Sequence, residues 1–371
     1  MKKVIIIRSI ADIEPRTQRT IEILHKAGYI VAYLSLDRDR IFPKYEKLPN
    51  VDIKRFRIKW FKRSIGSIFV LPIWWTYIFF TLMIKNYDYA HCIDLDTLPP
   101  TFLITKIRRK KLVYEIFDYA PDIYPDSFGF PSLRILIKKI EDFFISRVNG
   151  LILVDDIRLE QVGEDILKKC KHVDIIYNSP KDTFRNCENK NKIFTIFYGG
   201  ILEKDRGIYY LINAVSELTN VELVLAGFGK MEREVKIIAS KSPNIKFLGK
   251  VDHKTIIKNT EKAHLIPCLY SPEIPNNIYA SPNKFFESLM LGKPSIAYEE
   301  TIFSRRLRNF NCGITIVYKN DVSAQIRSTI KDLICDKTKY FELCVNARKA
   351  YLDNYSDNRN EFVLQKLYKD L

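Results

Sequence analysis

The sequence is short of the residues that build metal and disulfide sites. Seven cysteines (Cys92, Cys170, Cys187, Cys268, Cys312, Cys335 and Cys344) are scattered over 371 residues, odd in number and without one CxxC pair. That pattern excludes a disulfide framework and a zinc knuckle, and it fits a reducing cytoplasm. Only five histidines occur, with no HxxxH or HExxH spacing, and there is no GxSxG elbow. Metallohydrolase and serine-hydrolase readings therefore fail. Glycine (13) and proline (16) are too few for a collagen-like or linker-like chain, while 47% hydrophobic residues exclude general disorder. No signal peptide is expected, because Arg8 cuts off the apolar stretch Val4–Ile7 too early.

Positive charge is plentiful. Lysine and arginine number 60 against 44 acidic residues, a net +16. The cations are spread over both halves, without an arginine-rich arm or a finger spacing. A solvated surface, anionic lipid or a phosphorylated substrate thus remain ahead of nucleic acid. The run Lys54–Arg63 interleaves cations with aromatics and leads into the uncharged Ile65–Ile84. The latter is long enough to span a bilayer, but Pro72 lies inside it and strands of one expected sheet flank it. Two readings stay open: attachment to an anionic membrane surface, or a sheet-packing helix beside a solvated loop.

Short apolar runs alternate with helix-length amphipathic stretches almost throughout, from Val4–Arg8 to Gly313–Val317. Alternating strands and helices predict an α/β fold with parallel sheets covered on both faces. Ser179–Lys192 breaks the rhythm as a polar connector. The expected domains are 1–180, a linker at 181–192, 193–350, and a helix at 351–371 that packs back on the first domain.

Three elements carry chemistry. In Tyr198–Gly207 a strand ends in Gly199 and Gly200 before a helix, with Arg206 as a fixed cation; such a turn suits a phosphate. Val221–Lys230 ends in a Gly227-x-Gly229 turn, and Phe247–Val251 brings Gly249 and Val251 to a similar strand end. Ala280–Pro294 starts a helix near Pro282 and Asn283, with Lys284 and Glu287 three apart on one face. The lysine can hold a phosphate, and the carboxylate can accept hydrogen bonds from vicinal hydroxyls. A plain surface ion pair is the alternative.

In this order, the motifs YGGILEKDRG, AGFGK, FLGKV and SPNKFFESLMLGKP resemble the carboxyl-terminal domain of GT-B glycosyltransferases, especially the retaining family 4. Ile93–Pro99, Val113–Asp118, Ile176–Asn178 and Glu14–Arg16 are similar to that family's amino-terminal motifs. The resemblance implies two Rossmann-like domains facing a central cleft. It implies sugar transfer from a nucleotide-diphosphate donor, a UDP-sugar first, to a glycan or lipid-linked acceptor in surface polysaccharide or glycoconjugate synthesis. No cofactor and no metal are expected, nor a nucleic-acid partner. The location implied is cytoplasmic, peripheral on the inner face of the membrane. Arg206, Lys284 and Asp118 are the catalytic candidates. Gly199, Gly200, Arg206, Gly227, Gly249, Val251, Asn283, Lys284 and Glu287 form the donor site, and Asp94 and Asp118 lie on the acceptor side. Three family positions differ: Ile201 replaces an arginine, Tyr279 replaces the first of two paired glutamates, and Ile93 replaces the histidine before Asp94-Leu95-Asp96. Asp94-Leu95-Asp96 reads as a turn with Thr97 as helix cap rather than a metal-binding DxD. A nucleotide-sugar 2-epimerase, a silent nucleotide-binding partner and a nucleic-acid-binding protein remain as alternatives.

Overall fold

A strand buried on both faces needs a continuous apolar run, and Val4–Ile7 supplies one at the centre of the first sheet. The computed structural model describes residues 1–59, 64–124, 131–185 and 192–371. Positions 60–63 of the basic run and 186–191 of the expected linker lie outside these. The chain divides into a first unit, Met1–Tyr177 with Asn358–Leu371, and a second, Asn178–Asp357.

The first unit holds β1 (Lys3–Arg8), β2 (Ile30–Asp37), β3 (Tyr45–Leu48), β4 (Val51–Arg57), β5 (Tyr89–Ile93), β6 (Lys111–Ile116), β7 (Gly150–Leu153) and β8 (Val173–Ile175). Their order is β3-β4-β2-β1-β5-β6-β7-β8, parallel except for the edge hairpin β3–β4. Helices α2 (Ser64–Ile84), α3 (Leu98–Ile107) and α4 (Arg134–Ile145) cover one face. Helix α1 (Pro15–Lys26) and the terminal helix Asp357–Asp370 cover the other.

In α2 the stripe Val70, Trp74, Ile78 and Leu82 is buried at four-residue spacing, so the apolar segment is a sheet-packing helix. No helix among the described residues is long and apolar enough to cross a membrane. In the described part of the basic run before it, Lys59 is exposed while two arginines are paired. Arg55 is buried, pairs with Glu46 at 2.8 Å, and donates to the carbonyls of Ala11 and Pro43. Arg57 sits 3.6 Å from Asp37. β-strand alternation turns Arg55 inward, where Glu46 and the carbonyls of two flanking loops satisfy it.

A buried polar chain ties the layers of this unit together. Arg16 pairs with Glu115 at 2.5 Å, Glu115 accepts from His91 at 2.9 Å, and the other His91 nitrogen meets the Tyr368 hydroxyl at 2.9 Å. Burial alone would raise the Glu115 carboxyl, but Arg16 and His91 hold it down to about 2. His91 is therefore spent on packing.

The second unit holds β9 (Phe194–Ile201), β10 (Val221–Phe228), β11 (Ile245–Phe247), β12 (Ile266–Cys268), β13 (Ser295–Tyr298) and β14 (Gly313–Ile316). Two parallel three-stranded sheets, β11-β10-β9 and β12-β13-β14, are joined by a parallel bridge between Ile196 and Leu265. The continuous order β11-β10-β9-β12-β13-β14 reverses direction between β9 and β12. In numbering from β9 it is 3-2-1-4-5-6, the doubly wound order whose ligands sit at that reversal. Helices α5 (Ile208–Ser216), α6 (Glu232–Lys241), α7 (His253–Lys262), α8 (Asn283–Met290), α9 (Val322–Cys335) and α10 (Lys337–Ala350) complete the unit.

Candidate functional site

At the carboxyl ends of β9 and β10 a cavity of about 340 Å³ opens within the second unit. Its walls include Gly199, Gly200, Arg206, Gly227, Val251, Asn283, Lys284 and Glu287. Of the donor-site residues expected from sequence, Gly249 alone is absent from this lining. It acts from behind, its carbonyl accepting from the Gly227 amide at 2.8 Å. The two turns approach so closely that a β-carbon on Gly227 would lie 1.8 Å from the Gly200 carbonyl oxygen, at a φ of +142°. Only glycine fits there.

Arg206 ends a short helical turn, Lys204–Arg206, that is closed by Gly207 in the left-handed region at φ +69°. Its guanidinium lies over the Tyr270 ring, 4.3 Å from the centroid, and donates to Asn277 Oδ1 at 3.1 Å. Asn277 is itself held by Asp205 and by the Ser271 carbonyl. The side chain is thus fixed from two sides, with Asp205 3.5 Å away.

Lys284 and Glu287 share one face of α8 but do not pair with each other. The Lys284 ammonium stands 3.6 Å above the Tyr198 ring and, among the described residues, forms no ion pair. Burial lowers its proton affinity from 10.5 to about 8, and nearby Arg206 pushes the same way. Glu287 is buried and receives His253 Nε2 at 2.8 Å. The surface-pair reading is overturned: the apolar face of α8 packs inward and carries both charges with it. His253 is 43% exposed, and the sequence did not show its role because 34 residues separate it from its partner.

Tyr279 does not line the cavity, and Glu273 is turned away to Lys319 at 2.7 Å. In the first unit, Asp94 adopts φ +64° and accepts from the amides of Phe117 and Asp118 at 2.9 and 3.1 Å. Burial, followed by its acidic neighbours, raises its carboxyl to about 8, with Arg8 opposing. Thr97 precedes α3 without capping it, since its hydroxyl donates backwards to the Ile93 carbonyl at 2.8 Å. Asp118 is more than half exposed, 3.8 Å from Arg158. A larger hollow of about 420 Å³ lies beside α1 and the β3–β4 hairpin, but its lining cation is Arg55, already paired. Among the described residues no cluster could hold a metal ion.

Residues 193–336 match the family Glycosyl transferases group 1. The second unit carries a group 1 glycosyltransferase domain. That domain contains every cavity residue named above. Among solved structures, a sucrose-phosphate synthase from Thermosynechococcus elongatus superposes with TM-score 0.79 at 13% identity, covering 100% of this chain and 99% of the other. HepE from Anabaena, solved with UDP-glucose, gives 0.68 at 13% identity over 100% of both chains. An α,α-trehalose-phosphate synthase (UDP-forming) from Burkholderia vietnamiensis gives 0.68 at 9%, covering 100% of this chain and 99% of the other. At these identities the likeness is one of fold. The chain has the GT-B fold of two Rossmann-like domains. No curated protein sequence matches it.

Proposed function

We propose that this glycosyltransferase moves a sugar from a nucleotide-diphosphate donor, a UDP-sugar first, to a hydroxyl of a glycan or lipid-linked glycan in surface polysaccharide or glycoconjugate synthesis. One observation carries the reading: the desolvated Lys284 and the clamped Arg206 share a glycine-walled cavity at the sheet's reversal, with Glu287 beside them. Departure of a nucleotide diphosphate puts growing negative charge on the leaving phosphate. Preorganised cations in a dry cavity stabilise that charge most where it develops. Glu287 would take the ribose hydroxyls, and backbone amides at Gly199–Gly200 and the start of α8 would meet phosphate oxygens. Retention of configuration by front-face attack needs no protein nucleophile, and the cavity lining offers no evident one. On the first unit, Asp118 is the acceptor-side candidate. Asp94 has both backbone amides of the turn to satisfy and serves the loop's shape. A thermal-shift screen against UDP-, GDP-, ADP- and TDP-sugars tests the reading, since a donor that binds the folded state raises its melting temperature. No shift with any of them would refute it.

A cytoplasmic location at the inner face of the membrane belongs to the same proposal, with its support on α2–α4 rather than on the basic run. Phe80 and Ile84, Leu103 and Ile107, and Ile140 and Phe143 stand exposed on the outer sides of the three neighbouring helices. Lys106, Arg109 and Arg147 are exposed at or just past the ends of α3 and α4, and Lys139 is exposed midway along α4. Helices α2 and α3 carry no acidic residue, while on α4 Glu141 is buried and Asp142 pairs with Lys138. Apolar side chains rimmed by cations suit an anionic lipid surface.

A further inference from the structure

The cavity's histidine has no assigned task. His253 is the first residue of α7 and lines the cavity beside Glu287. The start of α7 is fixed by Asp252, whose Oδ1 accepts from the Thr255 amide at 2.8 Å. From that anchored position His253 Nε2 reaches Glu287 Oε1 at 2.8 Å. Lys284, the other candidate partner on α8, is turned to the Tyr198 ring.

A carboxylate that must accept from two vicinal hydroxyls needs its oxygens held in one plane. The last torsion of a glutamate is a broad rotor, so a free Glu287 would spread its lone pairs over many directions. A donor fixed on one oxygen removes that freedom before the ligand arrives. We propose that His253 is a positioning residue of the nucleotide site. It holds Oε1 of Glu287 and thereby directs Oε2 and the remaining Oε1 lone pair to a ribose diol. The proton must sit on Nε2, which is true of one neutral tautomer and of the imidazolium. The ligand class this selects is a ribonucleoside diphosphate over its 2′-deoxy counterpart. The inference rests on the reading of Glu287 as the ribose contact.

Calorimetric affinities for UDP and 2′-deoxy-UDP, with the guanosine and adenosine pairs run alongside, test it on wild type, His253→Ala, His253→Gln and Glu287→Gln. Wild type should favour the ribonucleotide by about tenfold to a hundredfold, the size of a hydrogen bond to a charged group. His253→Ala should weaken ribonucleotide binding by about tenfold and the deoxy form, which keeps one of the two hydroxyls, by clearly less, with an unchanged circular-dichroism spectrum showing that the variant is folded. His253→Gln, whose amide nitrogen reaches the place of Nε2, should recover part of the loss. If His253→Ala keeps the wild-type preference while Glu287→Gln loses it, the histidine's role is overturned and the ribose reading stands. If Glu287→Gln keeps the preference, or wild type binds none of the nucleotides, the ribose reading falls and this inference with it.

Discussion

Replacing Lys284 by methionine should stabilise the second unit while removing most of its activity. The folded protein lowers this lysine's proton affinity from 10.5 to about 8. Keeping it charged at pH 7 therefore costs about 3 kcal/mol. The contact 3.6 Å above the Tyr198 ring offsets about 1–2 kcal/mol of that. Methionine fills the same volume with no charge to desolvate. The net gain is about 1–2 kcal/mol, which for a unit of this size raises the melting temperature by roughly 2–8 °C. The pH dependence fixes the sign. Between pH 8 and 10.5 the unfolded lysine binds more protons than the folded one, so wild-type stability should rise with pH across that window, and the cost vanishes above it. The variant should lack this rise. Meanwhile turnover should fall about a hundredfold or more, because the cavity loses one of the two cations proposed to stabilise the leaving phosphate. Thermal denaturation followed by circular dichroism from pH 6.5 to 10.5, on both proteins, is the measurement. A variant that melts below wild type at pH 7, or that shows the same rise, would refute the argument.

Three further outcomes follow from the same geometry. Arg206→Ala should leave the melting temperature within a few degrees but cut turnover by about tenfold to a thousandfold; full activity would remove Arg206 from the mechanism. Activity should survive excess EDTA, since in the proposed function two side-chain cations and helix amides take the place of a metal at the diphosphate; loss with rescue by manganese would point to a metal-bound donor instead. The protein should co-sediment with anionic but not zwitterionic vesicles, reversibly with salt, and less so after Lys106, Arg109, Lys139 and Arg147 are changed to Ser. Equal binding to neutral vesicles would count against the electrostatic part.

The fold class was legible because strands buried on both faces leave continuous apolar runs such as Val4–Ile7 and Leu151–Val154. Strand β3 was not, since Tyr45–Leu48 is a short, largely exposed edge strand with no apolar signal. The glycine turns and the α8 start were legible as local patterns. Contacts between distant residues were not. His253 with Glu287, Arg206 with Asn277, and Arg16 with Glu115 are separated by 34, 71 and 99 residues, and no short window shows them. The partners of Arg55 were hidden for a related reason. Periodicity showed that Arg55 alternates with Phe56, but not that Glu46 and two carbonyls wait on the inward side.

The terminal helix has a consequence for the order in which the chain acquires its structure. Leu364, Leu367 and Tyr368 complete the core formed by Val4, Ile6 and Tyr89, and Tyr368 closes on His91 across 277 positions. The intervening residues 178–357 make up the other unit and need nothing from outside themselves for their sheets. During synthesis from the amino end, the later-made unit can therefore close first, while the earlier one waits with the part of one sheet face beside α1 uncovered until residues 358–371 emerge. Loop-closure entropy adds little to that wait, since it grows only with the logarithm of the separation. The exposure itself is the hazard, because an uncovered apolar sheet face invites association with other chains.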